Sequence, residues 1–227
     1  MATINVNRQG TATGAVSSSF NTARTSNAAS VDDGNTGASV YVQYFSNSGR
    51  GGGTKRFKRM FLHFDTSGIT GTVSAAHIDI DGHLASADPN DSILVKSTAF
   101  GGDGGTALAT TDFFSSIDYG TPYSTELTTW STGNNEYTLT SAALADIKNN
   151  DSFTLALVEH DSDFTNSDQI TNGASDISIN LGTTITLDFT EEAASGYTHN
   201  VIGVAAASIG KVSSVAAASI GKINSVD

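Results

Sequence analysis

Apolar and polar residues alternate with a period of two from Arg59 to Asp81, with one interruption. Met60, Leu62 and Phe64 alternate with Phe61, His63 and Asp65; further on, Ala76, Ile78 and Ile80 alternate with His77, Asp79 and Asp81. This period, with one apolar face, marks half-buried antiparallel strands. Residues 66–72 between them are turn-forming apart from Ile69, so the stretch predicts a central hairpin. The second strand sends two carboxylates and an imidazole outward and therefore borders a core on one side only. Two sheets packed face to face satisfy that requirement.

Residues 40–45, 93–95, 138–140 and 153–158 read as further strands, the last nearly without polar interruption, as expected of a central strand. Residues 177–181 and 185–189 predict a closing hairpin over Gly182, Thr183 and Thr184. One short helix is expected at 142–148, capped by Ser141, with Leu144 and Ile147 on one side. Between 112 and 130 the chain carries Phe113, Phe114, Ile117, Tyr119, Tyr123, Leu127 and Trp130, a set suited to anchoring two sheets to each other. The expected fold is all-β: an antiparallel two-sheet β-sandwich, jelly-roll-like, with one short helix and extended terminal arms. Its divisions are an N-terminal arm over 1–38 with an edge strand near Thr3, a sandwich over 39–192, and a tail over 193–227.

The tail has its own pattern. Val204, Ile209, Gly210, Lys211 and Val212 recur as Val215, Ile220, Gly221, Lys222 and Ile223, a period of eleven. Such a period is compatible with a right-handed helical supercoil, but the recurring glycine and β-branched residues disfavour an isolated helix. An extended or locally helical segment ordered by other chains fits better, because two repeats are too few to bury their own apolar faces. Val201, Ile202, Val204, Ile209, Val212, Val215, Ile220, Ile223 and Val226 are the candidate assembly residues.

Two resemblances accompany these patterns. Arg59, Leu62, Phe64, Asp65, Ser67, Ile69, Ala75, Ile78 and Ile80, the segment from Tyr137 to Leu157, and the closing strand to Phe189 resemble the DNRLRE-type domain. That domain is a β-sandwich similar to carbohydrate-binding modules, found in secreted bacterial and phage structural proteins; the resemblance spans most of 35–190 and supplies no catalytic residue. The repeats, with residues 200–204, resemble the C-terminal tails of structural proteins from marine bacteriophages. Together they imply a virion component assembled in the host cytoplasm and displayed on the particle surface.

Composition narrows the alternatives. The 227-residue chain has 23 glycines, two prolines and no cysteine, which fits many short strands and excludes disulfides and thiolate metal sites. A formal net charge of −12 disfavours nucleic acid and anionic membranes as partners. No stretch is long enough for a membrane-spanning helix, and the first residues lack the basic-then-apolar order of a secretory signal. Arg50, Lys55, Arg56, Lys58 and Arg59 hold five of the 11 Lys and Arg residues. They are either a solvated strand edge that discourages edge pairing or a docking patch for the acidic face of a neighbouring copy.

Candidate chemistry is sparse. Asp161, Asp163, Asn166 and Asp168 offer hard oxygens at a spacing that can wrap a structural Ca²⁺, though without the glycine and terminal glutamate of an EF-hand. His77, Asp79, Asp81 and His63 form a second, transition-metal candidate on one strand face. Glu126, Glu136, Glu159, Glu191 and Glu192 sit in no catalytic context, there is no Gly-x-Ser-x-Gly elbow, and residues 101–105 lack the Lys and Ser/Thr of a phosphate loop. No enzyme activity and no organic cofactor are expected. The expected function is a bacteriophage virion structural protein, a capsid decoration or head-fibre protein anchored by its tail to capsid, neck or tail proteins and to copies of itself. The alternative is a glycan-binding attachment module, in a tail fibre or a non-classically exported adhesin, using Trp130, Tyr119, Tyr123, Tyr41 or Tyr44 against host glycans.

Overall fold

A computed structural model describes residues 1–34, 39–49, 53–85, 91–169, 172–180 and 184–192, with backbone alone for 39–41, 84–85, 211–212 and 215–216. The chain is all-β and antiparallel. Two long strands organise it, β5 (Thr54–Asp65) and β6 (Thr72–Ala85). They are the two strands predicted around the central turn, but they pair with other strands and not with each other.

Each long strand takes two partners end to end along one edge and a third along the other. On β5, β4 (Ser39–Asn47) and β10 (Ser152–Glu159) share one edge, and β2 (Arg8–Gly14) occupies the other. On β6, β12 (Thr186–Glu192) and β11 (Gly173–Asn180) share one edge, and β9 (Gly133–Thr138) occupies the other. β11 also pairs along its full length with β4, which joins the β6 group to the β5 group in one hydrogen-bonded path. β1 (Ala2–Asn5) extends that path beyond β12, and β7 (Ser92–Ser97) with β8 (Ile117–Pro122) extends it beyond β10. The expected hairpin over 182–184 is therefore replaced: β11 and β12 follow one another along β6, which leaves no edge on which they could pair together.

One core draws side chains from both groups. Met60, Leu62 and Phe64 of β5 meet Ile78 and Ile80 of β6, Leu155 and Leu157 of β10, and Leu187 and Phe189 of β12. The opposite face of β5 is buried as well. Phe57 and Phe61 lie in a second cluster with Tyr44, Val95, Ala156, Val158, Phe100 and Phe113. The first strand is thus buried on both faces, and the alternation of Phe61 and His63 with the first core reflects two interiors rather than an inside and an outside.

The second interior exists because the N-terminal residues belong to the body. The 1–38 segment, expected as an irregular arm, contains β1, β2, α1 (Phe20–Thr25) and β3 (Ala28–Asp33). β2 joins β5 with Arg8 opposite His63 and Thr13 opposite Lys58, and β3 pairs onto β2. Small residues allow this: Ala12 and Gly14 face the interior, and a Cβ on Gly14 would lie 2.6 Å from the Phe113 ring. Helix α1 is capped by Ser19, whose side chain accepts from Thr22 N, and Phe20 packs edge-on against Tyr44 and Phe57 at 5.6 and 5.5 Å. A second short helix, α2 (Asp112–Ser115), carries Phe113 into the same interior.

The expected helix is present as α3 (Ser141–Asn149). Its cap is Thr140, one residue earlier than expected, accepting from Ala143 N, and Ala143 and Ile147 are buried. The strand expected at 138–140 lies earlier, as β9. In the repeat region β13 (Lys211–Val212) pairs antiparallel with β14 (Val215–Ala216). That pairing is extended rather than helical.

Candidate functional site

The polar side chains of greatest interest gather around the turn that follows β10. His160–Phe164 forms a π-helical turn, a rare geometry that recurs at functional sites. Glu159 enters this turn buried, with Oε2 accepting from Ser162 N at 2.8 Å and Asp163 N at 2.9 Å. Burial is the main reason its carboxyl is pushed up to about 7, with Asp163 and Asp161 adding to it against those two bonds. Its Oε1 makes no hydrogen bond.

Below the turn lies a charged cluster closed to solvent. Arg59 donates from Nε and Nη2 to the two oxygens of Asp163 at 2.6 and 2.8 Å. It also donates to the carbonyls of Phe113 and Arg24. Arg24 Nε donates to Asp163 O at 2.8 Å, and Tyr119 Oη donates to Asp163 Oδ1 at 2.9 Å. The guanidinium of Arg24 sits 4.3 Å from the Tyr119 ring centroid and that of Arg59 4.0 Å from Phe113. Burial alone would lower the Arg59 pKa, but Asp163 and Tyr119 outweigh it and hold the guanidinium above its usual range. The bidentate pair and its further bonds are made to internal partners, so this buried cluster ties α1, α2, β5 and the π turn together.

On the other side of the turn are donors that do not answer to a cation. His160 Nδ1 lies 3.2 Å from Glu126 Oε1 and 3.2 Å from Asp161 Oδ1. The ligand atoms of these three residues all lie within 4.8 Å of one another. Asp91 adjoins them: its carbonyl accepts from His160 N at 2.9 Å. Burial, then Asp161 and Glu126, push its carboxyl up to about 6.

These positions revise several expectations. The Ca²⁺ candidates Asp161, Asp163, Asn166 and Asp168 do not converge. The π turn aims Asp163 inward at Arg59 and leaves Asp161 beside His160. Asp168 is paired with Lys55 at 2.7 Å, and Asn166 is an exposed residue in the left-handed region at φ 55°. In the second metal candidate, His77 and Asp79 are joined by Glu136 from β9. His63 lies on β5, buried, with Nδ1 2.8 Å from Thr154 Oγ1, and Asp81 accepts from Asn180.

The basic run does not form one surface. Alternation turns Arg59 into the second interior at 0% exposure and pairs Lys55 with Asp168, while Arg56 donates to Gln43 and Lys58 is half-buried. Arg50 lies outside the described residues. Of the candidate glycan contacts, Trp130 is 5% and Tyr123 2% exposed. Tyr123 stacks on Phe153 at 5.0 Å and donates to Asp146, and Tyr119 is occupied by Arg24 and Asp163. Tyr44 is buried against Phe57, and the Tyr41 side chain lies outside the described residues, so the described aromatics anchor cores and present no stacking platform. All the tail candidates but Val212 and Val215 lie outside the described residues, and these two oppose each other in the β13–β14 pairing.

Sequence reasoning missed Arg24, Asp91 and His160. No local signal marks Arg24 or Asp91. His160 could have been noticed, since an imidazole directly before Asp161 ends a strand that is otherwise apolar. The chain matches no protein-family model and no curated protein. What fold and site define is an all-β, antiparallel body with two interiors and a half-buried His/carboxylate cluster at one turn.

Proposed function

We propose that this chain is a non-enzymatic structural protein of a bacteriophage virion, a capsid decoration or head-fibre protein held to the particle through its C-terminal repeats. The observation that carries this reading is a division of labour along the chain. Among the described residues, strand pairing and both core clusters of the body draw on residues up to Glu192, whereas the described strands of the repeat region pair only with each other. A short-period apolar segment with only two repeats, too few to bury their own apolar faces, suits an assembly element that packs on neighbouring chains. The resemblance of the repeats to marine-phage tails gives the partner class: other virion proteins and further copies of this chain.

The test is particle incorporation of a chain lacking residues 198–227. The truncated protein is expected to fold and to stay off particles made without the wild-type copy; normal incorporation overturns the reading. Copy number then separates decoration, with hundreds per particle, from a neck or tail position with about a dozen.

A glycan-binding module is the second reading. It is favoured by a cavity of about 200 Å³ lined by Lys96, Asp146, Asn150, Ser152 and Thr154 over the stacked rings of Tyr123 and Phe153. Binding on a glycan array that Asn150→Ala abolishes would support it.

A further inference from the structure

We propose that Glu126, His160 and Asp161, with Asp91 beside them, bind a first-row divalent cation of the Zn²⁺ or Mn²⁺ class. The inference does not depend on the virion reading.

Geometry comes first. A four-coordinate ion with ligand distances of about 2.1 Å separates neighbouring ligand atoms by about 3.4 Å. His160 Nδ1 stands 3.2 Å from a carboxylate oxygen on each of Glu126 and Asp161. The third edge is also short enough to close by side-chain adjustment, since all three atoms lie within 4.8 Å. The imidazole plane is fixed by stacking on Phe164 at 5.4 Å and 22°.

The donors come from separate segments that the backbone holds together. His160 N donates to the Asp91 carbonyl, and the next residue, Ser92, exchanges backbone hydrogen bonds of 3.1 and 2.8 Å with Leu127, the neighbour of Glu126. Such bridging leaves little to be ordered when an ion arrives.

Charge provides the independent argument. Several other carboxylates are answered by a cation or by backbone N–H groups: Asp163 by Arg24 and Arg59, Asp146 by Lys96, Asp168 by Lys55, and Glu159 by two backbone N–H groups. Among the described residues, Asp91, Glu126 and Asp161 have no Lys or Arg within ion-pair distance; one imidazole stands among three carboxylates. A divalent cation removes that imbalance. The donor set of one nitrogen and carboxylate oxygens suits Zn²⁺ or Mn²⁺ better than Ca²⁺ or Mg²⁺, which favour oxygen alone. The His77, Asp79 and Glu136 group is the weaker rival, because it lies on an open sheet face with Glu136 exposed and Asp79 already accepting from Asn134.

The test is calorimetric titration of the chelator-stripped full chain with ZnCl₂, MnCl₂ and CaCl₂, repeated on His160→Ala, Glu126→Gln and His77→Ala. The expected result is one saturable Zn²⁺ or Mn²⁺ equivalent, weakened at least tenfold by His160→Ala and Glu126→Gln and unchanged by His77→Ala. At a hundredfold excess over Kd the melting temperature should rise by about 5–10 °C. Should either variant fail to fold, the imidazole resonances of the wild-type chain decide: zinc must perturb His160 before His77. No saturable binding, binding of Ca²⁺ alone, or loss through His77→Ala with His160→Ala unaffected overturns the proposal.

Discussion

Arg59 and Asp163, 104 positions apart, form a bidentate ion pair with 0% and 1% of their side chains exposed. Taking two charges out of water is costly, and the pair is supported by further bonds: Arg59 also donates to the carbonyls of Phe113 and Arg24, and Asp163 Oδ1 also accepts from Tyr119. Removing one partner strands the other. Arg59→Met and Asp163→Asn are each expected to cost about 3–5 kcal/mol in urea denaturation. Arg59→Lys should recover little, because a single ammonium cannot reproduce the fork. The double replacement by apolar residues should cost less than the sum of the single changes, which a double-mutant cycle reads directly.

The same pair shows where sequence reading stops. The strand at Arg59 was legible, and so was its alternation, which placed Phe61 and His63 on the face opposite Met60 and Leu62; Phe57 and Arg59 continue that face. What the sequence did not disclose was that this face is an interior, because the cover comes from β2 and α1. Residues 8–25 carry few large apolar groups; Ala12, Gly14 and Ala23 are small residues, with Gly14 letting backbone approach the Phe113 ring, and Phe20 packs edge-on to Phe57. Charge clustering along the chain then suggested a surface, while the answering carboxylate lay over a hundred residues away. The metal candidates were half legible for a similar reason. Asp161 and His77 were in view, but Glu126 and Glu136 join them only through strand pairing and loop closure.

His63 gives a pH signature. Burial holds its imidazole below the ordinary value, so the folded chain binds a proton less readily than the unfolded one near pH 6. Stability contributed by the neutral ring is therefore complete above about 6.5 and is lost as pH falls below it. Glu159 works in the opposite sense, since its raised carboxyl is destabilising above pH 7 and relieved in acid. The two are separated by subtraction: the wild-type minus His63→Gln stability difference should shrink as pH falls from 7 to 5, measured with chelator present. A difference that is flat with pH would remove the assignment.

Gly104 faces His63 across the loop and holds φ at 76°, a region that side chains rarely adopt. A Cβ there would sit 2.4 Å from His63 Nε2, while Arg8 Nη1 donates to the Gly104 carbonyl at 2.9 Å. Gly104→Ala is expected to lose about 1–3 kcal/mol from backbone strain, with more from the contact. Gly68→Ala, where a Cβ meets nothing within 4 Å, serves as the tolerated control in the same thermal melt.

Trp130 distinguishes core from contact surface. The ring lies in the first core, and the Trp130 Nε1 crowds Gly82, where an added Cβ would be 2.8 Å away. A cavity of indole size in this core should cost about 3–5 kcal/mol. Trp130→Ala is therefore expected to fail in stability assays first. A variant as stable as wild type that had lost glycan binding would return the ring to the surface and revive the stacking reading.

The last prediction concerns the join between body and repeats. Among the described residues, the body's strand pairing and both cores draw on residues up to Glu192, so cutting the chain after that residue is expected to remove no buried contact of the body. The truncated chain should unfold cooperatively within about 0.5 kcal/mol of the full one, as changes away from the core do. It should do so at every protein concentration, as expected of a body whose two cores are built from one chain. A large loss of stability on truncation would mean that the repeats complete the interior of a single molecule, and an element occupied in that way has no apolar surface left to hold a particle.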